Sequence, residues 1–246
     1  MKILICNDDG IESEGILSLA KILNKENNVL VVAPSQNKSA CGHSITIGQK
    51  VYFKEHDLIE GIKTCSISGT PADCVKFAIN ALNFLPDAVV SGINKGSNLG
   101  TDILYSGTVS AALEAASFGI PSIAVSSTAY NDNNFEYCAK FIENNLKTLI
   151  KNNNGSFIWN INIPNITKDN IIDVKFTKMG YQVYSDYYKE VEKGVFILSG
   201  EPITHDKNDS DCDVEWNLKG YITITPISLN KTDYNILKGV NIKCQK

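Results

Sequence analysis

Met1-Lys-Ile-Leu-Ile-Cys-Asn-Asp-Asp-Gly10 sets an apolar run, residues 3–6, against an abrupt stop at Asn7-Asp8-Asp9-Gly10. A short, apolar, β-branched run closed by turn residues reads as a buried strand. Behind it Ile16, Leu19, Ala20 and Leu23 recur at helical spacing, so an amphipathic helix follows. Asp8 and Asp9 therefore stand in a tight strand-to-helix turn. In an open α/β sheet such turns lie at the carboxyl edge of the strands, where ligands bind. Neighbouring carboxylates repel each other and raise at least one pKa unless a cation neutralises them. A divalent metal makes the pair favourable; the plainer alternative is that one Asp caps the helix.

The same pattern repeats outward. Residues 29–33 form a second apolar strand that ends in a long polar loop, Pro34-Ser-Gln-Asn-Lys-Ser-Ala-Cys-Gly-His-Ser44. Residues 45–68 alternate in polarity around Gly61 and read as a β-hairpin or small meander. Gly69-Thr-Pro71 starts a helix, with Thr70 as cap, Pro71 at its first position and a stripe of Ala72, Val75, Ile79 and Leu82. The strand at 87–93 runs into Asn94-Lys-Gly-Ser-Asn-Leu-Gly-Thr-Asp102, and a helix rich in small residues opens at Ser106-Gly-Thr108. A strand at 120–126, a long helix marked by Phe135, Ala139, Ile142, Leu146 and Leu149, and a strand at 157–163 complete the alternation. Such alternation predicts an α/β fold with a doubly wound, mostly parallel sheet over residues 1–165. Residues 166–246 change character: β-like segments at 171–177, 180–190, 195–198 and 221–226 are joined by polar linkers. That extension is too sparse in apolar residues to fold alone. It is expected to rejoin the sheet or to project as a hairpin that grips a partner subunit.

Composition narrows the function. The 246 residues carry a net charge of −4, which argues against nucleic-acid polymers and anionic membranes as partners. The 23 basic residues are all lysine, so no guanidinium fork grips an anion. The seven cysteines are odd in number, scattered and without a C-x-x-C, which fits reduced thiols in the cytoplasm rather than disulfides or zinc. No apolar run reaches the roughly 18 residues of a membrane helix, and Asp8-Asp9 would interrupt a signal-peptide core.

Three strand ends converge if this fold holds: Asp8-Asp9, the loop of Ser39 and the loop of Asn94. Carboxylate, hydroxyl and amide oxygens are hard donors, suited to Mg²⁺, Mn²⁺ or Ca²⁺ rather than zinc. Ser106, Gly107 and Thr108 at a helix start offer free N–H groups and hydroxyls to an anion. A metal beside an anion site is the minimum equipment for phosphate-ester hydrolysis. Each part has a bland alternative: Ser39 solvated, Asn94 a turn residue, Ser106 or Thr108 a helix cap. Their occurrence at successive strand ends carries the case. His43 could shuttle protons but reads more simply as a surface residue; His56 and His205 have no motif. Tyr184, Tyr187 and Tyr188 read as hairpin or interface packing. Glycines 92, 96 and 100 match neither the dinucleotide fingerprint nor a Walker A loop.

Asn7-Asp-Asp-Gly-Ile11, Val32-Ala-Pro34, Asn37-x-Ser39, Gly69-Thr-Pro-x-Asp-Cys74, Ser91-Gly-Ile-Asn-x-Gly-x-Asn-Leu-Gly100, Tyr105-Ser-Gly-Thr-Val109 and Gly220-Tyr-Ile-Thr-Ile-Thr-Pro226 together resemble the SurE family of stationary-phase survival proteins. The resemblance implies a Rossmann-like fold and a metal-dependent phosphatase acting on nucleoside 5′-monophosphates, with 3′-nucleotides and short polyphosphate as further substrates. It implies one divalent ion, Mg²⁺ or Mn²⁺, held by Asp8, Asp9, Ser39 and Asn94, with Asp8 and Asp9 catalytic. It implies a phosphate pocket of Asn98, Ser106, Gly107 and Thr108, and a homodimer or homotetramer assembled through the C-terminal extension. Ser210-Asp-Cys-Asp-Val-Glu-Trp216 departs from the family's usual Thr-Asp followed by small residues, so Asp213 is an uncertain equivalent. The competing class is a non-catalytic nucleotide-binding regulatory module on the same fold. A haloacid-dehalogenase-like phosphatase would need an acid at position 10, where this chain has Gly.

Overall fold

The computed structural model describes residues 1–128, 134–203 and 211–237. In chain order its elements are β1 (Lys2–Cys6), α1 (Glu14–Leu23), β2 (Asn28–Pro34), β3 (Phe53–His56), β4 (Lys63–Ile67), α2 (Pro71–Asn80), β5 (Ala88–Lys95), a 3-10 turn (Gly100–Leu104), α3 (Gly107–Ser117), β6 (Ser122–Ser127) and α4 (Phe135–Lys151). There follow β7 (Phe157–Ile163), a second 3-10 turn (Lys168–Asn170), β8 (Val174–Phe176), β9 (Val183–Tyr184), β10 (Tyr187–Glu192), β11 (Val195–Ser199), β12 (Pro202–Ile203), α5 (Asp213–Leu218), β13 (Ile222–Ser228) and α6 (Tyr234–Leu237).

The main sheet runs β3-β4-β2-β1-β5-β6-β7-β13-β8. From β4 through β7 every neighbouring pair is parallel. The chain thus starts mid-sheet, winds out to β4, returns, and winds out the other way from β5. β1 and β5 lie side by side at that reversal, with Ile3 opposite Ala88 and Cys6 opposite Ser91. Reversal of strand order opens a crevice at the carboxyl ends. The expected doubly wound α/β sheet is therefore the observed one.

β1 also explains the layers. Successive side chains of a strand point to opposite faces. Ile3 and Ile5 pack with Ile16 and Leu19 of α1 and Ile142 of α4, whereas Leu4 and Cys6 pack with Cys74 and Val75 of α2 and Ala111 of α3. All four β1 residues are fully buried, which is why the run shows no polar alternation.

The hairpin expected over 45–68 is present as β3 and β4, but β4 also pairs in parallel with β2. Its alternation concealed a buried strand because Thr64 and Ser66 find partners on β3. The Thr64 hydroxyl donates to the His56 carbonyl at 2.7 Å, and Ser66 Oγ lies 2.8 Å from His56 Nε2. The extension rejoins the sheet and also projects a hairpin. β13 adds to β7 antiparallel and β8 adds to β13, while β10 and β11 form a hairpin whose Tyr187, Tyr188, Val191, Phe196 and Ile197 are exposed. Helix α5 is a difference: it is too short to show a helical period, and its first residue closes what read as linker. His205, Cys244 and the tail lie outside the described residues.

On the second layer, Thr70 caps α2 with Pro71 at its first position and a reciprocal bond to Asp73. α2 and α3 are joined by an ion pair, Lys76 Nζ to Glu114 Oε1 at 2.6 Å. His43 Nε2 adds a contact of 2.9 Å to Glu114 Oε2. Burial alone would push Glu114 up, but the hydrogen bonds and charges of His43 and Lys76 outweigh it and hold the carboxyl at about 2, below the ordinary 4.5. A depressed carboxyl stabilises the fold above its unfolded pKa, and that contribution disappears as pH falls through the folded one. Wild-type protein is thus expected to lose stability from pH 4.5 toward about 2, and Glu114→Gln to lose less over that window. Melting temperatures across it check this; equal slopes for the two proteins would remove Glu114 as the cause.

Candidate active site

The turn after β1 is shaped by Asn7. Its buried amide nitrogen donates to the Gly10 carbonyl at 2.9 Å and to Ser13 Oγ at 2.7 Å, and its oxygen accepts from Gly10 N–H at 3.2 Å. Gly10 sits at φ 103°, a conformation open to glycine. This brings Asp8 and Asp9 side by side to the crevice between β1 and β5.

Asp8 is 4% exposed. The Thr108 hydroxyl donates to its Oδ1, and the first amides of α3, Gly107 and Thr108, bond it as well. Burial pushes Asp8 up, and these bonds pull it partly back. The α3 N-terminus, expected from sequence to hold phosphate, thus grips a carboxylate of the chain itself. Only Gly fits there: a Cβ on residue 107 would lie 2.7 Å from Asp8 Cβ and 2.9 Å from its Oδ2. Ser106 serves as the cap, accepting from Val109 N–H at 3.1 Å. Asp9 is raised to about 6, by burial first and by the charge of Asp8 second; Lys95 opposes both, its N–H standing 3.2 Å from Asp9 Oδ2.

Asn94 is turned by a register shift between Ser91 and Asn94 where β5 pairs with β6. Such irregularities re-aim side chains beside functional sites. Its amide nitrogen donates to the Gly96 carbonyl at 2.9 Å, so the oxygen is the atom left to face a ligand. Asn98 is wired from several sides. Its N–H donates to Asn162 Oδ1 at 2.8 Å, its amide to Ser126 Oγ at 2.8 Å, and its carbonyl accepts from Asn160 and Asn162. Asparagines of β7 therefore hold the loop. Ser39 lies in a loop bonded to the β1 turn, where Lys38 N–H donates to the Asp8 carbonyl at 2.7 Å.

These residues share a cleft of about 730 Å³ lined by Asp8, Ser39, Asn94, Asn98 and Ser106, together with Lys95, Asp102, Tyr105, Gln182 and Tyr184. Gly107 and Thr108 stand behind Asp8 rather than on the wall. Asp9 lines an adjoining recess with Gly10, Ser35, His56 and Ser66. The strap 182–186 was not foreseen as wall. It is tied down by Tyr184 OH donating to Asp102 Oδ2 at 2.7 Å, and by Thr101 Oγ1 donating to the Gln182 carbonyl at 2.7 Å. Asp213 locks both sides, accepting from Gly100 N–H at 3.0 Å and Gly180 N–H at 2.8 Å. Tyr184 thus belongs to the cleft, whereas Tyr187 and Tyr188 are hairpin residues. The one sequence signal for Asp213 was a family pattern it matched poorly; its role depends on contacts 113 and 33 positions away in the sequence.

The donor set fits a hard divalent ion. Two adjacent carboxylates, both raised chiefly by burial and Asp9 further by the charge of Asp8, become favourable as anions beside a cation. Among the described residues no three His, Cys, Asp or Glu side chains converge. The remaining protein donors at hand are the Ser39 hydroxyl and the Asn94 amide, which suit Mg²⁺ or Mn²⁺ and not zinc.

Comparison with known proteins adds to this geometry. The family model described as Survival protein SurE matches residues 3–186. The chain is 42% identical over 243 residues to the 5′-nucleotidase SurE of Thermosipho africanus (strain TCF52B), covering 97% of this chain and 95% of that protein. It is 43% identical over 248 residues to the 5′-nucleotidase SurE of Clostridium tetani (strain Massachusetts / E88), covering 98% and 99%. Among solved structures, the crystal structure of the SurE protein from Aquifex aeolicus is similar with a TM-score of 0.82 and 34% identity, covering 98% of each chain.

Proposed function

This chain belongs to the SurE family, and from that premise we infer that it is a 5′-nucleotidase, a phosphatase that releases phosphate from nucleoside 5′-monophosphates. The observation that carries the reading is the meeting of Asp8, Ser39, Asn94 and Asn98 in one cleft at the reversal of strand order. Asp8, Asp9, Ser39 and Asn94 would hold one divalent ion, Mg²⁺ or Mn²⁺, which would supply Lewis-acid polarisation of a phosphoryl oxygen. Asn98 and Ser106 on the cleft wall hold the remaining phosphoryl oxygens, and Lys95 supplies a positive charge where no arginine exists. Gly107 and Thr108 act on phosphate indirectly, by fixing Asp8. The Thr108 hydroxyl donates to Asp8 Oδ1 and so fixes this carboxylate as a holder of the ion, and water is the attacking group in this reading. The strap 182–186 closes the far wall against the nucleoside.

The described cysteines are free thiols, which supports a cytoplasmic setting. No described helix is long and apolar enough to cross a membrane. The exposed apolar hairpin β10–β11 supports assembly as a homodimer or homotetramer through residues 166–246, an extension of the catalytic core at 1–165. Activity on 3′-nucleotides and short polyphosphate belongs to the same reading.

Phosphate release from AMP is expected with Mn²⁺ or Mg²⁺ and is expected to fall to background in EDTA, returning on readdition of the ion. Binding of AMP without turnover under every metal condition would instead make the protein a nucleotide-binding module.

A further inference from the structure

The loop carrying Ser39 is fastened more heavily than a connector needs. On one side of Ser39, Lys38 N–H donates to the Asp8 carbonyl at 2.7 Å; on the other, Gly42 N–H donates to the Tyr105 carbonyl at 2.9 Å. Between them Ala40 and Gly42 are both left-handed, at φ 56° and 57°. A non-glycine residue in that conformation persists where its surroundings over-determine it. Just beyond, His43 Nε2 reaches Glu114 Oε2 at 2.9 Å.

Glu114 is an unusual residue for its place. It is 6% exposed, and it is the one buried charged side chain on a helix whose other buried residues are uncharged. A buried carboxylate is costly unless paired and hydrogen-bonded. It is paired twice, by His43 from the loop and by Lys76 Nζ from α2 at 2.6 Å. The Lys76 ammonium is itself set over the Phe118 ring at 5.3 Å from the centroid. His43 stands outside the cleft wall, and its ring makes its contact with Glu114. The same helix grips Asp8 with its first turn through Thr108. α3 therefore holds one candidate ligand directly and the loop of another two turns further along.

We propose that Glu114 is a positioning residue: anchored by Lys76, it latches His43 and so sets where Ser39 stands relative to Asp8 and Asn94. This rests on the reading of those residues as ligands of a divalent ion. Partners one step removed from a metal tune its affinity by roughly 10–100-fold when removed, and a latch four residues from its ligand acts more weakly.

The test is the affinity for Mn²⁺ alone, read from the electron paramagnetic resonance of the free ion and set beside the melting temperature. His43→Ala is expected to weaken Mn²⁺ binding by about five- to tenfold while the fold melts close to wild type. His43→Gln, whose amide can still donate to Glu114, is expected to restore most of the affinity. Lys76→Met, which frees the carboxylate from its anchor, is expected to resemble His43→Ala. Wild-type affinity in His43→Ala, beside a wild-type protein that binds Mn²⁺, overturns the latch alone. A wild-type protein that binds no Mn²⁺ overturns the cation site and the latch with it.

Discussion

Asp8→Asn is expected to lower kcat for AMP by a factor on the order of 10²–10³, the loss seen when one preorganised electrostatic group is removed from a buried site. The side chain keeps its shape. Its oxygen still accepts from the Thr108 hydroxyl, so the fold should survive. What disappears is charge. Asp8 is 4% exposed and burial raises its pKa, so a charge at this position is costly to the fold and becomes favourable beside a cation, whereas a neutral amide carries no such cost. A melting temperature near that of wild type, measured without divalent ions, would show that the charge serves chemistry and not folding. Rapid quenching of wild-type turnover is expected to trap no acyl-phosphate, because in this reading both carboxylates hold the ion and water attacks phosphorus. Normal turnover by Asp8→Asn would remove Asp8 from the reaction, and a trapped acyl-phosphate would make a carboxylate the nucleophile.

Much of this site was legible before any coordinates, for a reason specific to the fold. In a doubly wound sheet each strand end is a turn, so polar residues just after apolar runs are placed together by topology alone. Asp8, Asp9 and Asn94 were picked out in that way and Ser39 by the loop after β2, whereas Asn98 came only from what the family resemblance implies. Contacts between residues distant in sequence were invisible. Thr108 reads from the sequence as a phosphate contact or a helix cap, yet its hydroxyl bonds a side chain one hundred positions earlier. Asp213 joins Gly100 to Gly180, a contact no local pattern encodes. β4 was missed as a sheet strand because Thr64 and Ser66 look solvent-facing until β3 satisfies them. The division follows from physics: periodicity reports burial against a layer, whereas side-chain wiring reports tertiary neighbours.

Gly107→Ala puts the central contact to the sharpest test. Residue 107 begins α3 and has no positive φ, so alanine suits its backbone. On helix propensity alone the change should stabilise the protein by roughly 0.5–1 kcal/mol. Space decides the other way. The new methyl would stand 2.7 Å from Asp8 Cβ, 2.9 Å from Asp8 Oδ2 and 3.0 Å from Pro71 Cγ. Asp8 is on the strand-to-helix turn and Pro71 on α2, so relief on one side tightens the other. Overpacking of this kind costs about 1–3 kcal/mol, which exceeds the propensity gain. The displaced carboxylate would lose alignment with Thr108 and the cleft, and a misplacement of about 1 Å costs on the order of 10²-fold in rate. Lower melting temperature together with a kcat reduced by about two orders of magnitude is therefore expected. A variant more stable than wild type and fully active would mean that Asp8 does not depend on the close approach of α3, and the account of how this carboxylate is held would fail.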